Sequence, residues 1–201
     1  MLASEEKDFI RARIARLLKV DVDDLMVFPG EMEEDGSQVD IVWAKPTKDF
    51  NYHVLVTAGL SEMVMEEPEQ CMELIMMLPA DWKMGDTKDQ WWWPVELLSR
   101  VAYTSLIMKD SLTIGSVVSL TKDDAPFMKG TKNCGLLVTV PEHFDLSLCE
   151  IPVADELFLR FHQVIPVNKE DIERINEEGV YKYIKYTLHN ADGPDFVVKK
   201  D

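Results

Sequence analysis

At residues 71–78 the chain reads CMELIMML, a short apolar run from which the rest of the fold can be worked out. The acidic segment EEPEQ precedes the run and Pro79 follows it, so its length is that of a strand and not of a helix. The run therefore predicts a buried strand near the middle of a sheet.

The segments before this run predict consecutive strands. They are LMVFP at 25–29, the alternating residues Val39, Ile41 and Trp43, and the alternating aromatic and branched residues of 50–56. A turn segment, EMEEDGS, separates the first two strands. The simplest interpretation is an antiparallel meander.

Two amphipathic helices are predicted on either side of these strands. Ser4 is a suitable N-cap, and apolar residues follow at helical spacing at Ile10, Ile14, Leu17 and Leu18. Pro94 can be accommodated in the first turn of a helix, and a second apolar stripe follows from residue 97 to about residue 109.

The second half of the chain predicts more strands and two further helices. Strands are expected at 112–120, 136–140 and 157–166. Asn168 can cap a helix that ends at Gly179, and a last short helix is expected at 181–188. This order predicts a single α+β domain over residues 1–201, with a largely antiparallel mixed sheet flanked by helices.

The charge of the chain is strongly negative and unevenly spread. Its 37 acidic and 21 basic residues give a formal net charge of −16, which repels nucleic acid phosphates and anionic lipid headgroups. Residues 20–82 hold 15 acidic residues against only Lys45 and Lys48, which is −13 of that total. No direct binding to nucleic acid or to a membrane is expected. The acidic third is either a solvated face or a surface for a basic partner.

The sequence contains no pattern for catalysis or for holding a cofactor or metal. Its three cysteines are widely spaced, which indicates buried thiols, and its four histidines form no metal-binding pair. No glycine-rich phosphate-binding motif occurs. We therefore predict no catalytic, cofactor-binding or metal-binding residue. The acidic start MLASEEKDF and the lack of a long apolar run predict a soluble, cytoplasmic protein.

Residues 91–94 read WWWP, and three consecutive tryptophans entering a helix cannot all point inward. Two of them can fill the junction between helix and sheet. The alternative is an aromatic anchor for a partner, because tryptophan supplies a large contact area at interfaces.

Four segments together resemble the suppressor-of-fused domain family, and in particular its bacterial members. They are FNYHVLVTAGLSEMVM, ELIMMLPADW, WWWPVELLSRVAY and FHQVIPVNKEDIERINEEG, and they span roughly residues 38–182. The family carries a T-x-G-L-S-like turn, an E-L-x-M-x-L-P-x-x-W segment, a tryptophan at a helix entry and an I-P step from strand to helix, in this order.

The resemblance implies a non-enzymatic α+β binding domain. In animals the family's namesake sequesters zinc-finger transcription factors by gripping a short peptide as an added strand, assisted by a second domain. Bacterial members resemble immunity proteins or antitoxins that neutralise secreted toxins, many of them nucleases. A nuclease needs a basic surface, so an acidic blocker would be steered towards it.

The first hypothesis is thus an immunity-type protein that binds a basic toxin domain through its acidic surface. Its candidate contacts are Asp23, Asp24, Glu33, Glu34, Glu66 and Glu67, with Trp91 or Trp92 as aromatic anchors. The alternative is a peptide-binding regulator that adds a partner strand to an open sheet edge. A third reading is an enzyme, for which the scattered histidines and aspartates have no suitable spacing.

Overall fold

The computed structural model describes residues 3–188 except for 33, 35, 63–64, 67–68, 87–88, 109–111, 128–130 and 155. The helices are α1 (Ala3–Leu18), α2 (Asp89–Met108), α3 (Leu146–Cys149), α4 (Lys169–Glu178) and α5 (Val180–Tyr183). The strands are β1 (Met26–Phe28), β2 (Asp40–Ala44), β3 (Tyr52–Ala58), β4 (Met65–Glu66), β5 (Glu69–Pro79), β6 (Val117–Ser119), β7 (Asn133–Thr139), β8 (Glu150–Ala154) and β9 (Leu157–Asn168).

The strands form one mixed sheet in the order β1-β2-β3-β5-β9-β7-β6, with β4 paired to β5 and β8 to β9. In the part of the chain that is described, β5 and β9 run parallel and all other neighbours run antiparallel. The predicted α+β class with a largely antiparallel mixed sheet is therefore confirmed. The CMELIMML run forms β5, the fourth strand along the sheet, as predicted for a central strand.

The two faces of the sheet bury separate cores, which explains why β5 is apolar at nearly every position. Ile75 and Met77 point to the face covered by α1, α4 and α5. Leu74 and Met76 point to the opposite face, which α2 covers. Successive strand residues alternate between faces, so a strand covered on both sides needs apolar residues at consecutive positions. The predicted apolar stripe of α1 is buried in the first of these cores.

Two expectations about the boundaries of elements are wrong, and one segment with regular structure was not foreseen. Helix α2 begins at Asp89, so Pro94 lies inside the helix and not in its first turn. The strand expected at 112–120 is only Val117–Ser119, because a turn precedes it. In this turn Gly115 adopts a φ of +89°, and the Ser116 N–H donates to the Thr113 carbonyl. The α3–β8 segment, residues 146–154, was not expected from the sequence.

The C-terminal helices are confirmed, and local hydrogen bonds define where they begin. The Asn168 side chain accepts from the Asp171 N–H at 3.0 Å, and the Asp171 carboxylate accepts from the Asn168 N–H at 3.1 Å. This reciprocal cap starts α4, and Gly179 with a φ of +84° ends it. Helix α5 continues into a π-helical turn at 184–188. Among the described helices, none combines the length and apolarity needed to cross a membrane.

Candidate functional site

An open groove lies between α2 and the end of the sheet at β1. Its volume is about 600 Å³, and residues 28–31 and 37–39 form one wall. The other wall is a single stripe of α2, formed by Trp92, Val95, Glu96, Ser99, Arg100 and Tyr103. We call this feature the edge groove. Its α2 stripe runs from residue 92 to residue 103, which is eleven rises of 1.5 Å, or about 16 Å of helix.

The three consecutive tryptophans take different positions at the start of α2. Trp93 is buried, whereas Trp91 and Trp92 are half-buried. Trp92 lines the edge groove and meets Phe28 edge to face, with 4.9 Å between ring centroids. Trp91 does not line the groove; it packs edge to face on Trp82, with 5.3 Å between centroids. Of the two predicted aromatic anchors, the structure therefore brings only Trp92 into the groove.

The acidic candidates do not gather around one site. Asp23 and Asp24 are exposed and line a second depression of about 370 Å³, near Met26 and Lys45. Glu34 is exposed on the turn between β1 and β2. Glu33 and Glu67 lie outside the described residues, as does the side chain of Glu66. The candidates with described side chains thus lie near both ends of β1.

Sequence reasoning missed the charged side chains that line the edge groove. They are Glu31, Glu96 and Arg100. The spacing of Trp92, Glu96 and Arg100 places them on one helix face, but a mixed stripe of this kind is also typical of any solvated helix surface. Nothing in the sequence predicts that residues 28–31 and 37–39 lie opposite this helix face.

Hydrogen bonds fix the loop wall of the groove to α1 and β2. The Gly30 N–H donates to Asp40 Oδ1 at 3.1 Å, and the Gln38 side-chain amide donates to the Gly30 carbonyl at 2.8 Å. Lys7 Nζ donates to Gln38 Oε1 and to Asp40 Oδ2, both at 3.1 Å. The side chains of Lys7 and Asp40 are each 15% exposed, so this ion pair is partly shielded from water. Lys7 of α1 thereby holds Gln38 and Asp40, and these two residues bond to Gly30 on the other side of the loop.

Replacing Lys7 with methionine is expected to lower the free energy of unfolding by about 2 kcal/mol, because it leaves a shielded carboxylate without its cation. Urea denaturation followed by tryptophan fluorescence measures the change. Arg16→Met is the matched control, since Arg16 is an exposed residue of the same helix. Equal stability losses in the two variants would contradict a role of Lys7 in holding the loop.

A second polar cluster surrounds the fully buried Glu73 on β5. Its Oε1 accepts hydrogen bonds from the Gly59 N–H at 3.0 Å, the Ser61 N–H at 3.1 Å and the Ser61 hydroxyl at 2.7 Å. Its Oε2 accepts from the Thr57 hydroxyl at 2.5 Å. Thr57 Oγ1 in turn accepts from the Leu74 N–H at 2.7 Å. The TAGLS turn therefore supplies the hydrogen-bond donors for the Glu73 carboxyl group of the central strand.

Burial raises the pKa of Glu73 to about 7, against the opposing effect of these hydrogen bonds. When the carboxyl group is neutral, its own O–H can donate to Thr57 Oγ1. The cluster has no access to water, and the edge groove does not include any of its residues. Its contacts join β3 to β5, which is a structural role.

The two histidines predicted within strands are both buried in the sheet. His53 Nδ1 accepts from the Trp43 indole N–H at 3.0 Å, and His162 Nδ1 lies 2.8 Å from the carbonyl oxygen of Leu112. Desolvation lowers the pKa of both imidazoles. Among the described residues, no group of three or more His, Cys, Asp and Glu could hold a metal ion.

Solved structures share this fold at low sequence identity. A suppressor of fused homolog from Neisseria gonorrhoeae is 15% identical, with a TM-score of 0.65 over 90% of each chain. A chain of the Sufu-Fu complex is also 15% identical, with a TM-score of 0.65 over 98% of this chain and 90% of that one. Drosophila Suppressor of Fused is 14% identical, with a TM-score of 0.57, and this chain covers 49% of its length.

Sequence comparison identifies the family more directly than these structures do. No curated protein sequence matches the chain significantly. The model of the family "Suppressor of fused protein (SUFU)" matches residues 35–198, which is most of the sequence. The four segments that carry the resemblance lie within this range. The chain therefore belongs to the suppressor of fused protein family.

Proposed function

We propose that this chain is a protein-binding domain without catalytic activity, of the immunity or antitoxin kind, that neutralises a basic partner. The observation that carries the proposal is the edge groove, which has an aromatic wall at Trp92 and a carboxylate on each side, from Glu31 and Glu96. The Sufu-Fu complex, a structure with the same fold, supports protein binding as the use of the domain.

The charge distribution supports a basic partner. Asp23, Asp24 and Glu34 carry exposed carboxylates in the segments just before and just after β1, the end strand of the sheet. Long-range attraction towards such a surface speeds the encounter with a cationic protein, and contacts in the groove then fix the orientation. A toxin that cleaves nucleic acid needs a cationic surface for phosphate, so an acidic domain seated there would block its substrate.

The proposed compartment is the cytoplasm. Cys71, Cys134 and Cys149 are all buried free thiols. Burial raises the pKa of the Cys149 thiol to about 11 and also raises that of Cys134, which keeps these groups protonated and unreactive. Free thiols of this kind are typical of proteins in a reducing environment.

The test compares two triple variants with the same change in charge. One carries Asp23→Asn, Asp24→Asn and Glu34→Gln near β1, and the control carries Glu156→Gln, Glu173→Gln and Glu177→Gln at exposed sites elsewhere. Each bait captures proteins from a lysate of the source organism. A captured basic protein is then titrated against each bait at about 50 mM and about 500 mM salt, concentrations at which charge screening differs strongly.

At low salt, the β1 variant is expected to associate about tenfold more slowly than the wild type, and the control variant close to normally. High salt should bring the three association rates together. Co-expression of the captured protein with and without this chain then measures neutralisation through cell growth. A partner that binds all three baits at one rate and is harmless to the cell would contradict the immunity proposal.

A second candidate function is strand addition by a regulator that sequesters a peptide. It is favoured by β1, a three-residue strand at the end of the sheet whose described pairing is with β2 only. Main-chain hydrogen bonds would then dominate the affinity. Under this candidate, the affinity in the same titration would survive high salt and neutralisation of the three acidic residues.

A further inference from the structure

We infer that the edge groove is a pocket for a lysine or arginine side chain in an extended segment of the partner, seated between the Trp92 ring and the Glu96 carboxylate. This inference rests on the proposed function and specifies the chemistry that the groove selects. It concerns one place on the surface, whereas the proposed function concerns the acidic surface as a whole.

The length of the groove fits an extended peptide. The α2 stripe from Trp92 to Tyr103 covers about 16 Å, and an extended chain advances about 3.3 Å per residue. About five residues of a partner can therefore lie along it. Side chains of a strand alternate in direction, so two or three of these five residues would face the wall formed by α2.

The chemistry of the α2 wall fits a cationic side chain. Glu96 follows Trp92 by four positions, so its carboxylate lies on the same helix face, one turn further along. An ammonium or guanidinium group placed over the indole would lie beside this carboxylate, and its aliphatic stem would cover the ring. Glu31 on the loop wall adds a second carboxylate.

The protein already makes this type of contact with its own lysines. Lys83 Nζ lies 5.3 Å from the centroid of the Trp91 ring, and Lys45 Nζ lies 5.6 Å from that of Trp43. Trp91 is the chain neighbour of Trp92. The half-buried Trp92 presents the same kind of ring at the groove, where the partner would supply the cation.

Arg100 makes the two ends of the edge groove different in charge. It lies one turn beyond Glu96 on the same stripe. Its guanidinium repels a second cation at that position and can donate to a backbone carbonyl of the bound segment. A segment with one basic residue near its Trp92 end and a neutral residue near its Arg100 end is therefore preferred.

The probes are three acetylated and amidated pentapeptides, TKTTT, TQTTT and TETTT. Each is titrated into the ¹⁵N-labelled full chain, and shifts of the Trp92 indole N–H and of the backbone amides of residues 28, 30–31, 92–93 and 95–103 are followed. The lysine peptide is expected to bind with a Kd of about 1 mM and about fivefold more tightly than the glutamine peptide, as a cation–π contact with a carboxylate allows.

Glu96→Gln should reduce this preference to about twofold, the part that the Trp92 ring and Glu31 still supply, and Glu177→Gln, an equal change at an exposed site on α4, should leave it intact. Both residues are exposed, so neither variant should unfold the chain. Equal binding of the lysine and glutamine peptides would overturn the inference in favour of a groove for any extended segment. Preference for the glutamate peptide, or no shift in the groove, would also overturn it.

These outcomes are separable from failure of the proposed function. If the β1 triple variant slows association with the captured partner but no peptide shifts the groove, the acidic surface binds the partner and the pocket assignment is wrong. If the lysine peptide shifts the groove as expected but no basic partner is captured and neutralised, the pocket stands and the immunity proposal is wrong.

Discussion

Replacing Glu73 with alanine is expected to lower the free energy of unfolding by about 4 kcal/mol. The wild-type carboxyl group accepts four hydrogen bonds, from Thr57, Gly59 and Ser61. Alanine leaves these donors buried without an acceptor and leaves a cavity at the junction of β3 and β5. Thermal and urea denaturation measure the loss.

Glu73→Gln is the matched control because it keeps the size and one acceptor oxygen. Its carbonyl can still accept from Gly59 and Ser61, so a loss of about 1 kcal/mol is expected. Equal losses of unfolding free energy in Glu73→Gln and Glu73→Ala would mean that the size and hydrogen bonds of this side chain do not join β3 to β5.

The glutamine variant should also differ from the wild type in how stability depends on pH. The pKa of Glu73 is raised to about 7 in the folded state, above its value of 4.5 in the unfolded chain. The folded state therefore holds the proton more tightly, and this contribution is complete below about pH 4.5 and is lost as the pH rises through 7. A shift of this size corresponds to about 3 kcal/mol.

The measurement is the difference in unfolding free energy between wild type and Glu73→Gln, followed from pH 5 to pH 8. The wild type should lose stability relative to the variant across this range. The lowered pKa values of His53 and His162 produce the opposite slope, with stability lost as the pH falls, but they occur in both proteins and cancel. A difference that is constant with pH would contradict a raised pKa for Glu73.

The structure shows how three of the four segments that carry the family resemblance are connected. Glu73 of the central strand is bound by Thr57, Gly59 and Ser61 of the TAGLS turn. Trp82, which ends the second segment, donates its indole N–H to the carbonyl of Trp91 at 2.8 Å and so contacts the tryptophan run. These buried contacts join the segments to one another within the fold.

The sequence predicted the elements whose pattern is set by burial, and of the edge groove it predicted only Trp92. The apolar run of β5 and the cap at Asn168 each depend on neighbours within a few residues. The edge groove depends instead on a loop that crosses opposite α2, held by Lys7 from a distant helix. Long-range hydrogen bonds of this kind leave no periodic signal in the sequence.

The crossing of this loop requires a glycine at position 30, so Gly30→Ala is expected to be strongly destabilising. A Cβ on Gly30 would lie 2.0 Å from the carbonyl oxygen and 2.9 Å from the carbonyl carbon of Val39. Both are backbone atoms of the segment that enters β2, so neither can rotate away as a side chain could. We expect a loss of about 3 kcal/mol in unfolding free energy, because the two segments must separate.

Gly85→Ala is the matched control, since a Cβ at Gly85 meets nothing within 4 Å, and its stability change should stay within about 0.5 kcal/mol. Separation at Gly30 would also break the hydrogen bonds that join Gly30 to Asp40 and Gln38 and would widen the edge groove. The lysine peptide should therefore bind Gly30→Ala more weakly at temperatures where the variant is still folded. Unchanged stability together with unchanged peptide affinity would mean that the loop can shift without affecting the groove, and the close approach at Gly30 would then not determine its shape.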